Sequence, residues 1–269
     1  MKTCQVLKET SLEKGLNTLL VLSKAGDGMT VSELSAALGY PESTVARLLQ
    51  TLKRAGYVWQ GQRRGPYKAG YRVLELAGNL LEGMELRRRA RSALHELASR
   101  LRMVAYLKVK SGAEVVTVDV AVPPLASGPD NEIGRRLPMH ACSPGKAILA
   151  ARGDHEVREY IEEIGLAPMT PHTITGPEAF MNEMRLTRAR GYAINREESD
   201  FIHSIAAPIM RFDGKVIAAV AVSFSPESGV LGTEREQAIA NEVMEGARLI
   251  SFSIGYRSDQ LLWTDAGVR

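Results

Sequence analysis

Two patterns predict an α+β chain with two domains. Three helical periodicities followed by a pair of extended stretches give residues 1–72 the order of a winged helix-turn-helix. Across residues 86–257, strand-like runs give way to helical ones and then return, which suits helices packed around an antiparallel sheet. A length of 269 residues is enough for two hydrophobic cores.

The first helix is expected over residues 12–25, with Ser11 as its N-cap. Leu12, Leu16, Leu19 and Leu20 recur at helical spacing and give it one apolar face. Gly26-Asp27-Gly28 stops it. Thr30 and Glu33 form a capping box that opens a second helix, whose buried side is Val31, Leu34 and Leu38 and which ends at Gly39. Tyr40-Pro41 makes a corner. A third helix runs over residues 42–55 to Gly56. Residues 57–60 and 67–70 are extended, around a tip reading GQRRGP. Residues 71–84 read as a helix with weak points at Gly78 and Gly83. Residues 86–101 read as another, with Ala90, Leu94, Leu97 and Leu101 on one side.

Beyond, residues 104–109, 113–120, 192–195, 205–210 and 216–224 read as strands, with Asp213-Gly214 as a hairpin turn. Pro123, Pro124 and Pro129 mark an irregular loop. Residues 143–151, 154–164 and 178–190 read as helices. Thr233 and Glu236 form a capping box for a last helix along Ile239, Val243, Ala247 and Ile254.

The third helix carries the chemistry of the first domain. Val45, Leu48, Leu49 and Leu52 fall on one side, and Ser43, Arg47, Gln50 and Arg54 on the other. A helix that enters the major groove needs this division. Arg47 can pair bidentately with a guanine, worth about 1–3 kcal/mol of discrimination. Ser43 and Thr44 stand at the helix start, where hydroxyls and backbone N–H groups suit a phosphate. Arg63 and Arg64 at the hairpin tip reach towards the minor groove or backbone, and Lys68 adds a phosphate contact. Arg47 and Arg54 alone would read as a solvated helix face. The capping box, the corner and the Arg-tipped hairpin together favour double-stranded DNA.

Charge agrees with that division. Through Arg72 there are eleven Lys or Arg against five Asp or Glu, while the remainder carries twenty-three against twenty-six. A basic first quarter on a slightly acidic body fits a polyanion partner. Hydrophobic residues at 45% and charged ones at 24% suit a globular chain, and no apolar run is long enough to cross a bilayer. The N-terminus has no apolar signal core, and the two cysteines, Cys4 and Cys142, form no CxxC pair, so a reduced, cytoplasmic setting is expected.

Several blocks resemble the IclR family of bacterial regulators. They are SLEKGLNTLLVLSKAGDGMTVSELSAALGYPESTVARLLQTLKRAGYV, YKAGYRVLELA, RRLPMHACSPGKAILA, RARGYAINREE and IAAPIMRFDGKVIAAVAVS. They cover nearly the whole chain in the family's order; the first ten residues and the tail from 258 fall outside. The resemblance implies a winged helix N-domain, a linker helix over residues 73–85 and a GAF-like effector-binding domain over residues 86–257. It also implies homodimers or homotetramers on palindromic operators, acting as repressors or activators.

A helix start such as that within LPMHACSPGK offers N–H groups to an anion. By the resemblance, Leu137, Ser143, Pro144, Asn195, Ser204, Ala221 and Ser223 line a pocket for a small organic acid. Members that bind short oxo acids often have Cys at the place of Ser204, Asp at that of Asn195 and Ser at that of Ala221. The loop before Ile205 is also one residue short. These exchanges predict a less polar pocket and a larger acid, aromatic acids included.

His140 and Cys142 are two residues apart, so on a strand they would share a face, but no second pair completes a zinc site. A hydrogen-bonded structural His140 and a buried, inert Cys142 are expected, with no metal or cofactor. Catalysis is not expected either. No GxSxG elbow appears, and Gly145-Lys146 lacks the rest of a GxxxxGK[ST] phosphate loop.

Overall fold

A computed structural model describes residues 9–62, 65–124 and 132–257. The chain divides into two compact units, Met1–Gly83 and Met84–Arg269.

In the first unit, α1 (Ser11–Ser23), α2 (Val31–Leu38) and α3 (Glu42–Arg54) precede a hairpin of β1 (Val58–Gln60) and β2 (Tyr67–Ala69). Their core is Leu22, Leu34, Val45, Leu49, Val58 and Tyr67. Thr30 and Glu33 form the expected capping box, and Gly39 closes α2 in the left-handed conformation. Tyr67 bridges back to Met29, so the hairpin is tied to the start of α2. That tie needs Gly28, because a Cβ there would press on the Tyr67 carbonyl.

Two expectations for α1 need correction. Its cap is Thr10 rather than Ser11, because Thr10 forms a full capping box with Glu13, and the helix stops at Ser23. Its buried side is Gly15, Thr18 and Leu22. Leu12, Leu16 and Leu20 are 73%, 56% and 57% exposed; only Leu19 of the four packs against the core. Helical periodicity finds an apolar face but does not say whether the chain itself covers it. The next helix, α4 (Arg72–Gly83), has no buried residue, and Leu74, Leu76 and Leu80 are all exposed.

The second unit opens with α5 (Glu85–Leu101), a separate helix from α4 because Met84 leaves the helical conformation. A six-stranded antiparallel sheet follows, in the order β5-β4-β3-β8-β7-β6. Its strands are β3 (Val104–Ser111), β4 (Glu114–Ala121), β5 (Arg136–Pro138), β6 (Ala193–Arg196), β7 (His203–Met210) and β8 (Val216–Phe224). The sequence shows no sign of β5, which is only three residues long. Helices α6 (Ser143–Arg152), α7 (Asp154–Glu163) and α8 (Pro177–Arg190) form an apolar cluster with Ala206, Ala219 and Ala221 of the sheet. α5 and α9 (Glu234–Ser253) pack on the sheet as well, and on each other. Thr233 caps α9, but not as a capping box: it accepts from the Arg235 N–H, and Glu236 accepts instead from Gly232 and from the Tyr192 hydroxyl. The glutamate is drawn off because two better-placed donors flank it. No helix among the described residues is long and apolar enough to cross a membrane.

Candidate DNA-reading surface and effector cavity

In α3 the division read from the sequence is realised. Val45, Leu48 and Leu49 are buried, while Ser43, Arg47, Gln50 and Arg54 are exposed. Thr44 is half-buried, and its N–H is taken by the Pro41 carbonyl at 2.9 Å. The helix has Pro41 at its N-cap, which supplies no side-chain cap. Its first N–H groups therefore have no side chain competing for them, as a phosphate site requires. Lys68 is half-buried on β2, in register with Trp59. Arg63 and Arg64 lie outside the described residues.

In the second unit, Leu137, Pro144, Asn195, Ser204, Ala221 and Ser223 surround one cavity of about 40 Å³. Ser143 stands behind the wall, its hydroxyl 2.6 Å from that of Ser204. Ser223 faces the Tyr106 hydroxyl at 3.1 Å. Asn195 spends its amide on the loop beside it: Nδ2 donates to the Ile202 carbonyl at 2.9 Å and Oδ1 accepts from the Glu198 N–H at 3.0 Å. It shapes the wall more than it offers polar atoms to a ligand.

The expectation of a less polar pocket is not met. Lys108, Glu132, Arg135 and Asp200 line the same cavity. Arg135 donates to Glu132 at 2.6 Å and to Asp200 at 2.9 Å. Three exchanges on β6, β7 and β8 say nothing of charges brought in by β3 and the two flanking loops. A lysine within VAYLKVK reads as a solvent-facing strand residue, and only its shared face with Tyr106 hints otherwise.

His140 and Cys142 are committed within the protein. His140 Nδ1 lies 3.0 Å from the Tyr160 hydroxyl and Nε2 lies 2.9 Å from the Ala167 carbonyl. The Cys142 thiol donates to the Pro138 carbonyl at 3.4 Å, and burial pushes its pKa up to about 11, which suppresses the reactive thiolate. Lys146 is fully buried. Its Nζ lies 2.7 Å from Oε1 and 2.6 Å from Oε2 of Glu198. This explains a Gly-Lys pair that no phosphate loop accounts for.

Burial also holds the His140 imidazole below the ordinary value of 6.5. The unfolded chain takes up a proton there at a pH where the folded chain still resists it. Stability from this group is thus fully present above about pH 6.5 and lost as pH falls from there through the lower value of the folded state. Melting temperature should decline on acidification through this range, and His140→Gln should flatten the decline. Equal slopes in both proteins would assign the acid sensitivity elsewhere.

Comparison with known proteins accounts for both units. Residues 11–61 match the IclR helix-turn-helix domain, and residues 78–252 match the bacterial transcriptional regulator IclR C-terminal domain. The chain is 30% identical over 214 residues to the HTH-type transcriptional regulator XynR of Escherichia coli, covering 79% of this chain and 85% of that one. It superposes on the Thermotoga maritima IclR structure with a TM-score of 0.73 at 26% identity, covering 91% of this chain and 99% of that one. An IclR homologue from Microbacterium hydrocarbonoxydans complexed with 4-hydroxybenzoate has the same fold, with a TM-score of 0.74 at 24% identity over 91% of this chain and 99% of that one. The chain therefore belongs to the IclR family of bacterial transcriptional regulators: it is a DNA-binding regulator with an effector-binding C-terminal domain, not an enzyme.

Proposed function

We propose that two copies of this chain pair through the apolar faces of α1 and α4 and present two α3 helices to the half-sites of a palindromic operator. A small organic acid in the Ser204–Ser223 cavity then shifts the affinity for that operator. The observation that carries the DNA half is the two-sided α3, apolar side buried and Ser43, Arg47, Gln50 and Arg54 exposed. Thr44 and Lys68 are assigned to the same contact with DNA, as are Arg63 and Arg64 on the sequence alone. A two-fold protein reading a two-fold site fits this geometry. Action on bacterial operator DNA belongs to the cytoplasm, and this function carries that location.

The effector half rests on the hydroxyls of Ser204 and Ser223, on Leu137, Ser143, Pro144, Asn195 and Ala221 around them, and on the start of α6. An acid can regulate only by binding the two operator-affinity states unequally. The 4-hydroxybenzoate in the Microbacterium homologue supports a carboxylate, aromatic acids included. A cavity of about 40 Å³ must widen to take a ring, since a dry cavity that holds benzene measures on the order of 150 Å³.

Titration of the protein onto its own upstream DNA, with and without acids, tests the proposal. Arg47→Ala should weaken binding by about 1–3 kcal/mol and relax the preference at one base position in each half-site. Equal affinity for every sequence in wild type would refute sequence-specific reading.

A further inference from the structure

Lys108 is the cavity residue whose environment is least explained by the fold. It lies on β3, in the interior of the sheet, on the same face as Tyr106. Directly across on β8 is Ala219, fully buried in the apolar cluster beneath α6. The Lys108 side chain is only 7% exposed, and it lines the cavity. An ammonium in such a place is costly unless it is paired and hydrogen-bonded.

Its partners among the described residues fall short of that. Nζ lies 3.7 Å from Oε2 of Glu132, beyond hydrogen-bonding distance, and 5.3 Å from the centre of the Tyr106 ring. Glu132 already accepts from Arg135 at 2.6 Å, and Arg135 also holds Asp200. Lys146, in the same domain, shows what a structural lysine does here, with both oxygens of Glu198 within 2.7 Å. Among the described residues, the donors of Lys108 are unspent by comparison. Burial lowers its pKa, while the nearby acids Glu132 and Asp200 oppose that shift. Around the same space stand the hydroxyls of Ser204 and Ser223 and the start of α6.

We propose that Lys108 binds the carboxylate of the effector through Nζ and so makes the cavity select acids over their neutral analogues. The assignment rests on the cavity being the effector site. It needs no bond to form or break: the carboxylate takes hydrogen bonds that Lys108 does not make among the described residues.

Calorimetric titration of the full chain tests it, with lactate, gluconate and 4-hydroxybenzoate each set against its primary amide. Wild type should bind at least one acid more tightly than its amide. Lys108→Met should weaken that acid about ten- to hundredfold, the range for a charged hydrogen bond, and leave the amide unchanged; Lys108→Arg should recover part of the loss. In wild type, affinity for the acid should also fall at alkaline pH as the ammonium deprotonates, and Lys108→Met should abolish that fall. Tyr106, Cys142, Glu132, Asp200 and Arg135 also face this region, and all remain in the variant. If the variant does not fold, the wild-type acid-to-amide ratio decides, and a ratio near one overturns the assignment. Equal acid binding by wild type and Lys108→Met overturns the role of Lys108 and leaves the effector cavity standing. No binding of any acid by wild type overturns both.

Discussion

Replacing Leu16 or Leu80 with Glu is expected to reduce the assembly state by at least half, as read by light scattering at micromolar protein. Operator affinity should fall by about a hundredfold or more, because one half-site would no longer recruit the next. Two observations set this size. Leu12, Leu16 and Leu20 put a continuous apolar stripe of α1 in solvent, and such stripes mark protein contacts. α4 is a helix of 12 residues with no buried side chain, a length at which an isolated helix is marginal in water. Leu74 and Leu80, 66% and 68% exposed, need a partner surface for α4 to persist. A charge placed in that seam costs far more than one on an open surface. Unchanged mass and unchanged operator affinity in both variants would show that these leucines face something other than a second copy.

The second large effect is expected inside the effector domain. Lys146→Met strips the counter-ion from Glu198, whose carboxylate is only 4% exposed. Breaking a buried pair on one side costs about 3–5 kcal/mol, and for a domain of this size that lowers Tm by on the order of 10 °C. Burial already raises the Glu198 pKa against the pull of Lys146. Without the lysine, protonation relieves the carboxylate, so the loss should shrink as pH falls. Removing both charges, Lys146→Met with Glu198→Gln, should recover much of the loss. Calorimetry across pH checks all three. A single variant as stable as wild type at neutral pH would mean that water reaches Glu198.

Much of the fold is legible in the sequence because its signals are local. The capping box at Thr30, the left-handed Gly39 and the Asp213-Gly214 turn act over four residues or fewer, and each appears where expected. The α3 face is legible for the same reason, since one helix supplies both its buried and its exposed side. What the sequence hides depends on distant partners. The leucines of α1 look like core because periodicity cannot tell a fold's own interior from an apolar face left exposed. Lys108, Asp200 and the Glu132–Arg135 pair come from three separate segments, and no spacing links those segments. The Thr233–Glu236 box fails because Gly232 and Tyr192 compete for the glutamate. Resemblance supplied Leu137, Pro144, Asn195, Ser204, Ala221 and Ser223, which do gather, but not the charges that stand among them.

Gly145 gives the cavity an unequal capacity for change. A Cβ there would collide with the backbone of Met139, so the first turn of α6 lies directly against the turn that precedes it. That main-chain contact backs the side of the cavity at Cys142 and Pro144, while its other walls are side chains from β3, β5, β6, β7, β8 and the loops before β5 and β7. Substitution can rewrite most of those walls one residue at a time while the Gly145–Met139 main-chain contact stays in place. Exchanges at wall residues such as Ala221 can therefore change which acid fits while the main-chain packing of the helix start is kept.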